Sequence, residues 1–223
     1  MEQINLTLQG TEDYFTQEAY KVLRSNIQFC GKDIKVILLT SCEANEGKTT
    51  VSVHLAKSFA DLDKKVLVID ADMRKSVLAG RNTDAQNVKG LSEVLTGFST
   101  FENAVYKTQY PNLSILFAGK YPPNPVELLS SKHFADLIES LKNSGEFDYI
   151  IIDTPPLGMV IDAAVVAQVC DGAVLVLNDN ARYGQLKSIV EQLKKSDSKI
   201  LGVVRNRVSN RQSKYRYYKS KRY

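Results

Sequence analysis

Short, largely apolar runs recur along the chain, at residues 36–39, 66–69, 113–117, 149–152, 173–177 and 200–204. A strand with one wet face alternates apolar and polar residues, whereas one buried on both faces reads as a solid apolar run. Between these runs, apolar residues fall at helical spacing. Tyr20, Leu23 and Ile27 mark a helix over about 16–28, and Val51, Leu55, Ala56 and Phe59 mark one ending near Leu62. Further helices are predicted over about 132–142 and 183–195. Strands alternating with helices predict an α/β fold of three layers, a mostly parallel central sheet with helices on both faces. The polar residues 1–15 predict a flexible amino terminus, and 75–112 reads as loops and short helices. Pro122, Pro123 and Pro125 exclude helix until about Val126. One domain is expected over 16–206. Residues 207–223 form a tail whose last ten positions hold no aliphatic residue, so that it is expected to be disordered.

In a parallel sheet of this kind, ligands bind at the carboxyl ends of the strands. The residues just after each apolar run are therefore informative. The first run leads into Ser41-Cys42-Glu43-Ala44-Asn45-Glu46-Gly47-Lys48-Thr49-Thr50 and then a helical pattern. Strand, tight loop and a helix opening with Gly-Lys-Thr is the context of a phosphate-binding loop of the P-loop NTPase type. Loop N–H groups and the helix N-terminus converge on one point, where they stabilise a phosphate chain. Glu46, Gly47, Lys48, Thr49 and Thr50 are the candidate nucleotide-binding residues, with Lys48 on the β- and γ-phosphates and the Thr49 hydroxyl on Mg²⁺. Cys42 stands at the usual first glycine, and Asn45 stands where many such loops carry another. Asn tolerates left-handed backbone angles better than most residues.

Two further runs end in acid: Asp70-Ala71-Asp72-Met73-Arg74 and Asp153-Thr154-Pro155-Pro156. A single Asp at a strand end is most simply a cap. Three strand ends carrying Gly-Lys-Thr or carboxylates favour a Mg²⁺–nucleotide site. Asp153 is placed to hold Mg²⁺ directly or through water. One of Asp70 and Asp72 completes the metal shell, and the other accepts a proton from an incoming hydroxyl; the spacing does not say which. Arg74 can hold a carboxylate or meet a phosphate. Asn206, just after the last run, is either an adenine contact or a strand-end turn residue.

Composition changes the picture in one place, the tail. At 223 residues and 43% hydrophobic, the chain has enough core for one domain without disulfides. The apolar runs are too short to cross a bilayer and the start is polar, so a cytoplasmic location is expected, with any membrane role supplied by a partner. Cys30, Cys42 and Cys170 lack metal-ligand spacing and read as buried thiols; Cys42, in the loop, would be open to oxidation if reachable. His54 and His133 read as structural. The net charge of +4 conceals a division. Residues 205–223 hold eight Lys or Arg and no acid, and 29 basic residues less these eight leave 21 against 25 acidic ones. A mildly acidic globule thus carries a basic tail with Tyr215, Tyr217, Tyr218 and Tyr223 interleaved. Such a tail is a candidate phosphoacceptor, or a binder of nucleic acid or anionic lipid.

Taken together, these motifs resemble those of the bacterial tyrosine kinases of capsule and exopolysaccharide synthesis, in the form of the separate cytoplasmic subunits of Gram-positive bacteria. The likeness runs nearly end to end: the loop at 41–50, three apolar residues then D-x-D-x-R at 67–74, three apolar residues then D-x-x-P at 150–156, P-P-N-P-x-E-L-L-S-S at 122–131, and the terminal tyrosines. The family's E-x-x-R-x-x-R helix is matched at Glu18 and Arg24, with Lys21 in the middle place. Lys21 keeps the charge but loses the bidentate fork. Ala44-Asn45 replaces the common Pro-Gly. The resemblance implies ATP- and Mg²⁺-dependent autophosphorylation of the tail in trans, within a ring-shaped homo-oligomer that uses Glu18, Lys21 and Arg24. It also implies a transmembrane adaptor that activates the kinase and recruits it to the inner face of the plasma membrane. A cognate tyrosine phosphatase, control of polysaccharide polymerisation and export, and no nucleic-acid partner complete the expectation.

Two other readings compete. A partitioning or positioning ATPase of the ParA/MinD type shares the fold, but its loop carries an extra Lys where this chain has Ser41-Cys42-Glu43. A non-catalytic ATP-binding module that grips nucleic acid or lipid through its tail would not need Lys48, Thr49, Asp70, Asp72 and Asp153 together. The H-R-D and D-F-G motifs of eukaryotic-type kinases are absent.

Overall fold

The computed structural model describes residues 2–8, 14–82 and 88–208. The elements are, in chain order, β1 (Glu2–Ile4), α1 (Tyr14–Phe29), β2 (Val36–Ser41), α2 (Lys48–Ala60), β3 (Val66–Asp70), α3 (Leu78–Asn82), α4 (Leu91–Leu95), α5 (Phe101–Ala104), β4 (Val105–Thr108), β5 (Leu113–Leu116), α6 (Pro125–Leu129), α7 (Lys132–Asn143), β6 (Tyr149–Asp153), α8 (Asp162–Ala167), β7 (Gly172–Leu177), α9 (Tyr183–Lys195) and β8 (Ile200–Arg205). The strands form one sheet in the order β1-β4-β5-β3-β6-β2-β7-β8. Every pairing is parallel except β4 with β5.

The apolar runs divide between two cores because successive side chains of a strand point to opposite faces. Val36 and Leu38, Leu67 and Ile69, Ile150 and Ile152, and Leu175 and Leu177 pack with α4 to α9. Ile37 and Leu39, Val66 and Val68, Ile151, and Val174 and Val176 pack with α1, α2 and α3. The three-layer α/β reading holds. The same alternation aims Asp70 and Asp153 at the α2 side, since they continue the Val66–Val68 and Ile151 sets.

Two strands depart from the sequence expectation. Within the amino-terminal segment expected to be flexible, β1 pairs with β4, and Ile4 and Leu6 are buried. Gln109 fixes this edge by accepting from the Leu6 N–H and donating to its carbonyl, both at 2.7 Å. β4 itself falls in a region expected to hold loops and short helices. Both are short, three or four residues, with too few positions to show a period; β1 forms the edge and β4 lies next to it. Residues 9–13, and the tail tyrosines Tyr215, Tyr217, Tyr218 and Tyr223, lie outside the described residues.

Candidate nucleotide and phosphoryl-transfer site

The loop between β2 and α2 takes the shape its composition permits. Asn45 adopts φ 62° and Gly47 φ 91°, so the position predicted to tolerate left-handed angles does adopt them. Gly47 is required on a second count. A Cβ there would lie 2.1 Å from Asn206 Nδ2. Asn206 donates that amide to the Glu46 carbonyl at 2.9 Å, and its own N–H bonds Leu177 O at 2.7 Å. The residue therefore braces the loop from the end of the sheet, in the neighbourhood expected from sequence.

Glu46 braces it from within. Its carboxylate is buried and accepts the Glu43 N–H at 2.8 Å and the Asn178 N–H at 3.1 Å. The side chain of Glu46 thus holds the loop closed, and its carbonyl accepts from Asn206. Sequence reasoning placed Glu46 among the nucleotide-binding residues without this bracing role, because Asn178 is far away along the chain. Gln185 of α9 adds a bond to Glu43 at 2.7 Å. Cys42 is buried, and burial, with Glu46 and Glu43 nearby, pushes its thiol up to about 11. Cys42 is thus not reachable, the condition on which oxidation at this position was expected.

Lys48 opens α2 and is buried, with 7% of its surface exposed. Burial pulls its pKa below the ordinary value, against the opposing pull of Asp153, Asp72 and Glu46. Thr49 donates its hydroxyl to Asp153 Oδ2 at 2.5 Å, and Ser52, one turn on, donates to Oδ1 at 3.2 Å. Thr50 is exposed on the same first turn.

Asp70 and Asp153 are register partners across β3 and β6. Both are buried, and two like charges in such a place cannot both ionise cheaply. Burial, reinforced by Asp153, holds Asp70 well above the ordinary carboxylate range. Burial likewise raises Asp153 to about 6, though the Thr49 hydroxyl, Lys48 and the Ser52 hydroxyl oppose the rise. The backbone does turn after β3, as two acids at this spacing require if both are to face the site. Asp70 accepts the Asp72 N–H at 3.1 Å and the Ser76 hydroxyl at 2.6 Å, and Asp72 accepts the Lys75 N–H at 2.9 Å. Arg74 holds a carboxylate, that of Asp162.

This donor set fits a phosphate chain with a divalent cation. A buried ammonium, a hydroxyl and converging carboxylates surround a loop whose backbone is bent to face them. Mg²⁺ keeps several waters and needs few protein ligands.

The α1 residues behave differently from a free charged ladder. Glu18 and Lys21 pair with each other at 2.7 Å. Arg24 turns inward, donating to the Ser58 carbonyl at 2.5 Å and to its hydroxyl at 3.2 Å. It docks α1 on α2. His54 is buried and stacks on Tyr20, with ring centroids 4.9 Å apart.

Known proteins share this arrangement. A protein-family model described as an AAA domain matches residues 34–203. The tyrosine-protein kinase CpsD of Streptococcus agalactiae is 42% identical over 201 residues, covering 90% of this chain and 86% of that protein. The kinase domain of the Escherichia coli tyrosine kinase ETK superposes with a TM-score of 0.81 at 29% identity, covering 91% of this chain and 81% of that one. The septum site-determining protein MinD of Pyrococcus horikoshii, solved with Mg-ADP, gives a lower TM-score of 0.65 at 31% identity, over 80% of this chain and 73% of that one. Fold alone admits both kinds of protein, but the sequence likeness over nine-tenths of the chain decides between them: the chain belongs to the family of bacterial tyrosine-protein kinases.

Proposed function

We propose that this chain is an ATP- and Mg²⁺-dependent protein-tyrosine kinase that phosphorylates Tyr215, Tyr217, Tyr218 and Tyr223 on another copy of itself. The observation that carries the reading is the buried pair Asp70 and Asp153, in register on adjacent strands and facing the Lys48–Thr49 turn.

The roles rest on chemistry. Lys48 and the loop N–H groups stabilise charge on the phosphoryl group in transfer. Thr49 and Asp153 would hold the metal, joined by one of Asp70 and Asp72. Mg²⁺, when bound, supplies the positive charge that offsets the phosphate oxygens. A free tyrosine has a pKa of about 10, so its attack at neutral pH gains from a positioned base, which is the remaining aspartate.

The family supports the wider setting. Glu18, Lys21 and Arg24 contribute to a ring of subunits, and a transmembrane adaptor brings the kinase to the inner face of the plasma membrane. No helix among the described residues is long and apolar enough to cross a membrane, which accords with an anchor supplied by a partner. The output is control of capsule or exopolysaccharide polymerisation and export, reset by a tyrosine phosphatase. Each phosphate adds about −1.5 to −2 charges, so four roughly cancel the seven positive charges of residues 207–223 and weaken the tail's docking to acidic sites.

Intact-mass and peptide mass spectrometry after incubation with Mg²⁺-ATP, with and without a cytoplasmic adaptor peptide, tests the reading. Phosphates on 215–223 that vanish in Lys48→Met are expected. ATP turnover without phosphotyrosine would replace the kinase with a partitioning-type ATPase.

A further inference from the structure

Arg74 and Asp162 stand 88 residues apart in the chain and meet in a fork-to-fork pair. Arg74 Nε donates to Asp162 Oδ2 at 2.8 Å and Nη2 to Oδ1 at 3.1 Å. The Asp162 side chain is 0% exposed at the start of α8, and that of Arg74 is 35% exposed. Such a pair is a poor source of net stability, because desolvating the carboxylate offsets much of the attraction. What it supplies is geometry, since two parallel bonds fix both distance and orientation.

The two residues end two different loops of the site. On one side, the turn after β3 is knotted by bonds among Asp70, Asp72, Lys75 and Ser76. On the other, the segment between β6 and α8 is sewn to the phosphate loop. Thr154 donates to Leu39 O through N–H and hydroxyl, and the Leu157 N–H bonds Ser41 O at 3.0 Å. Thr40 Oγ1 bonds Pro155 O at 3.0 Å. Gly158 approaches so closely that a Cβ would lie 2.1 Å from Cys42 O. Arg74–Asp162 closes the circuit: phosphate loop, post-β6 segment, α8, Arg74, and back to Asp72. It also occupies the guanidinium. Asp72 lies two residues away and within electrostatic reach of Arg74. A released Arg74 is free to neutralise the very carboxylate that the site must present.

We infer that Asp162, through its paired grip on Arg74, is a positioning residue that keeps the Asp72 carboxylate available to the Mg²⁺ that accompanies the phosphates. The inference rests on the nucleotide-site reading above. It assigns no contact with substrate to Asp162, and it names a residue outside the three motifs that define the site.

The test compares the full chain with Asp162→Asn, Arg74→Gln and Arg74→Lys. Affinity for a fluorescent ADP is measured with Mg²⁺ and with EDTA, beside melting temperature and the rate of tyrosine phosphorylation. Affinity in EDTA is expected to stay within about twofold, because the loop contacts of the phosphates are untouched. The gain on adding Mg²⁺ is expected to fall about 10-fold or more in Asp162→Asn, which frees the guanidinium beside Asp72, and by less in Arg74→Gln, which breaks the circuit but removes that cation. Arg74→Lys, which keeps charge without the fork, should fall between them and wild type. Raising Mg²⁺ should restore part of the phosphorylation rate. A full wild-type Mg²⁺ gain in all three variants, whatever their melting temperatures, would make the pair merely structural and overturn the inference. Should Asp162→Asn not fold, Arg74→Gln, at a third-exposed side chain, decides the matter. A wild-type protein that binds Mg-ADP tightly but makes no phosphotyrosine refutes the kinase reading alone, with the Mg²⁺ comparison still judging the pair. A wild-type protein that binds no nucleotide refutes both.

Discussion

Asp171 and Asp153 flank β2 on either side, at opposite ends of the sheet. Asp171 precedes β7 and accepts the N–H groups of Lys35 at 2.9 Å and Val36 at 2.8 Å, and it pairs with Lys142. Burial pushes its carboxyl up, but Lys142 and the two N–H groups outweigh burial and hold it below its ordinary value. Asp153 is met by two hydroxyls, faces Asp70 across the sheet and is raised. One carboxylate is complete without a ligand, and the other is left short of positive charge. The same residue type at two strand ends is thus a staple in one place and a receptor in the other. What separates them is whether the protein itself supplies the neutralising groups. Raised carboxylates beside a buried lysine are a functional signature on this physical ground, rather than because acids mark sites in general.

The contrast is tested most strongly at Lys48. Lys48→Met should lower phosphoryl transfer by at least about 10²–10³-fold, the effect of removing one preorganised donor. Its melting temperature should move little, and transfer at near wild-type rate would remove the site from this end of the sheet. At the staple end, Asp171→Ala should cost about 2–3 kcal/mol of stability, since it orphans two backbone N–H groups and a lysine. Denaturant melts measure that loss, while nucleotide affinity under folded conditions should stay unchanged. A variant that weakens nucleotide binding instead would erase the division between the two ends.

Asp70→Asn should do the reverse and stabilise the ligand-free protein, by about 1–2 kcal/mol at neutral pH, while impairing phosphorylation. The sign comes from the raised carboxyls. A folded state that binds protons more tightly than the unfolded one loses stability as pH rises above the ordinary value of 3.8; for Asp153 the loss is complete above about 6, and for Asp70, held well above its ordinary value, it runs to that group's own folded value. Melts from pH 4 upward should show the variant's advantage growing as pH rises. An advantage that is flat with pH, or negative at pH 7, would mean that Asp70 and Asp153 are not in conflict. The smallest effect belongs to the loop. Asn45→Gly should change stability by no more than about 0.5 kcal/mol, because Asn45 already adopts a left-handed angle. Asn45→Val, strained at that angle, should cost about 1–2 kcal/mol. Equal melts for the two variants would show that the angle is not maintained.

Much of the fold was legible in the residues because buried parallel strands write themselves as solid apolar runs. The loop at 41–50 and the acids ending β3 and β6 could be placed at one edge by the rule that ligands sit at carboxyl ends. The short strands β1 and β4 could not, since three or four residues carry no period. The inward turn of Arg24 was also hidden. At helical spacing it shares a face with Glu18 and Lys21, and only the packing of α1 on α2 brings Ser58 within its reach.

Chain order alone determined the layers, the candidate nucleotide loop and which strand ends bear charge, because these depend on local periodicity and on residues adjacent in sequence. Tertiary structure alone decided what each charge meets: Glu46 with Asn178, Asn206 with the loop, Arg74 with Asp162, and Asp70 opposite Asp153. Those partners lie on different strands and loops, and which of them come together depends on sheet register and loop path. A one-residue slip in register would turn Asp70 to the other face, with no change in composition or motif.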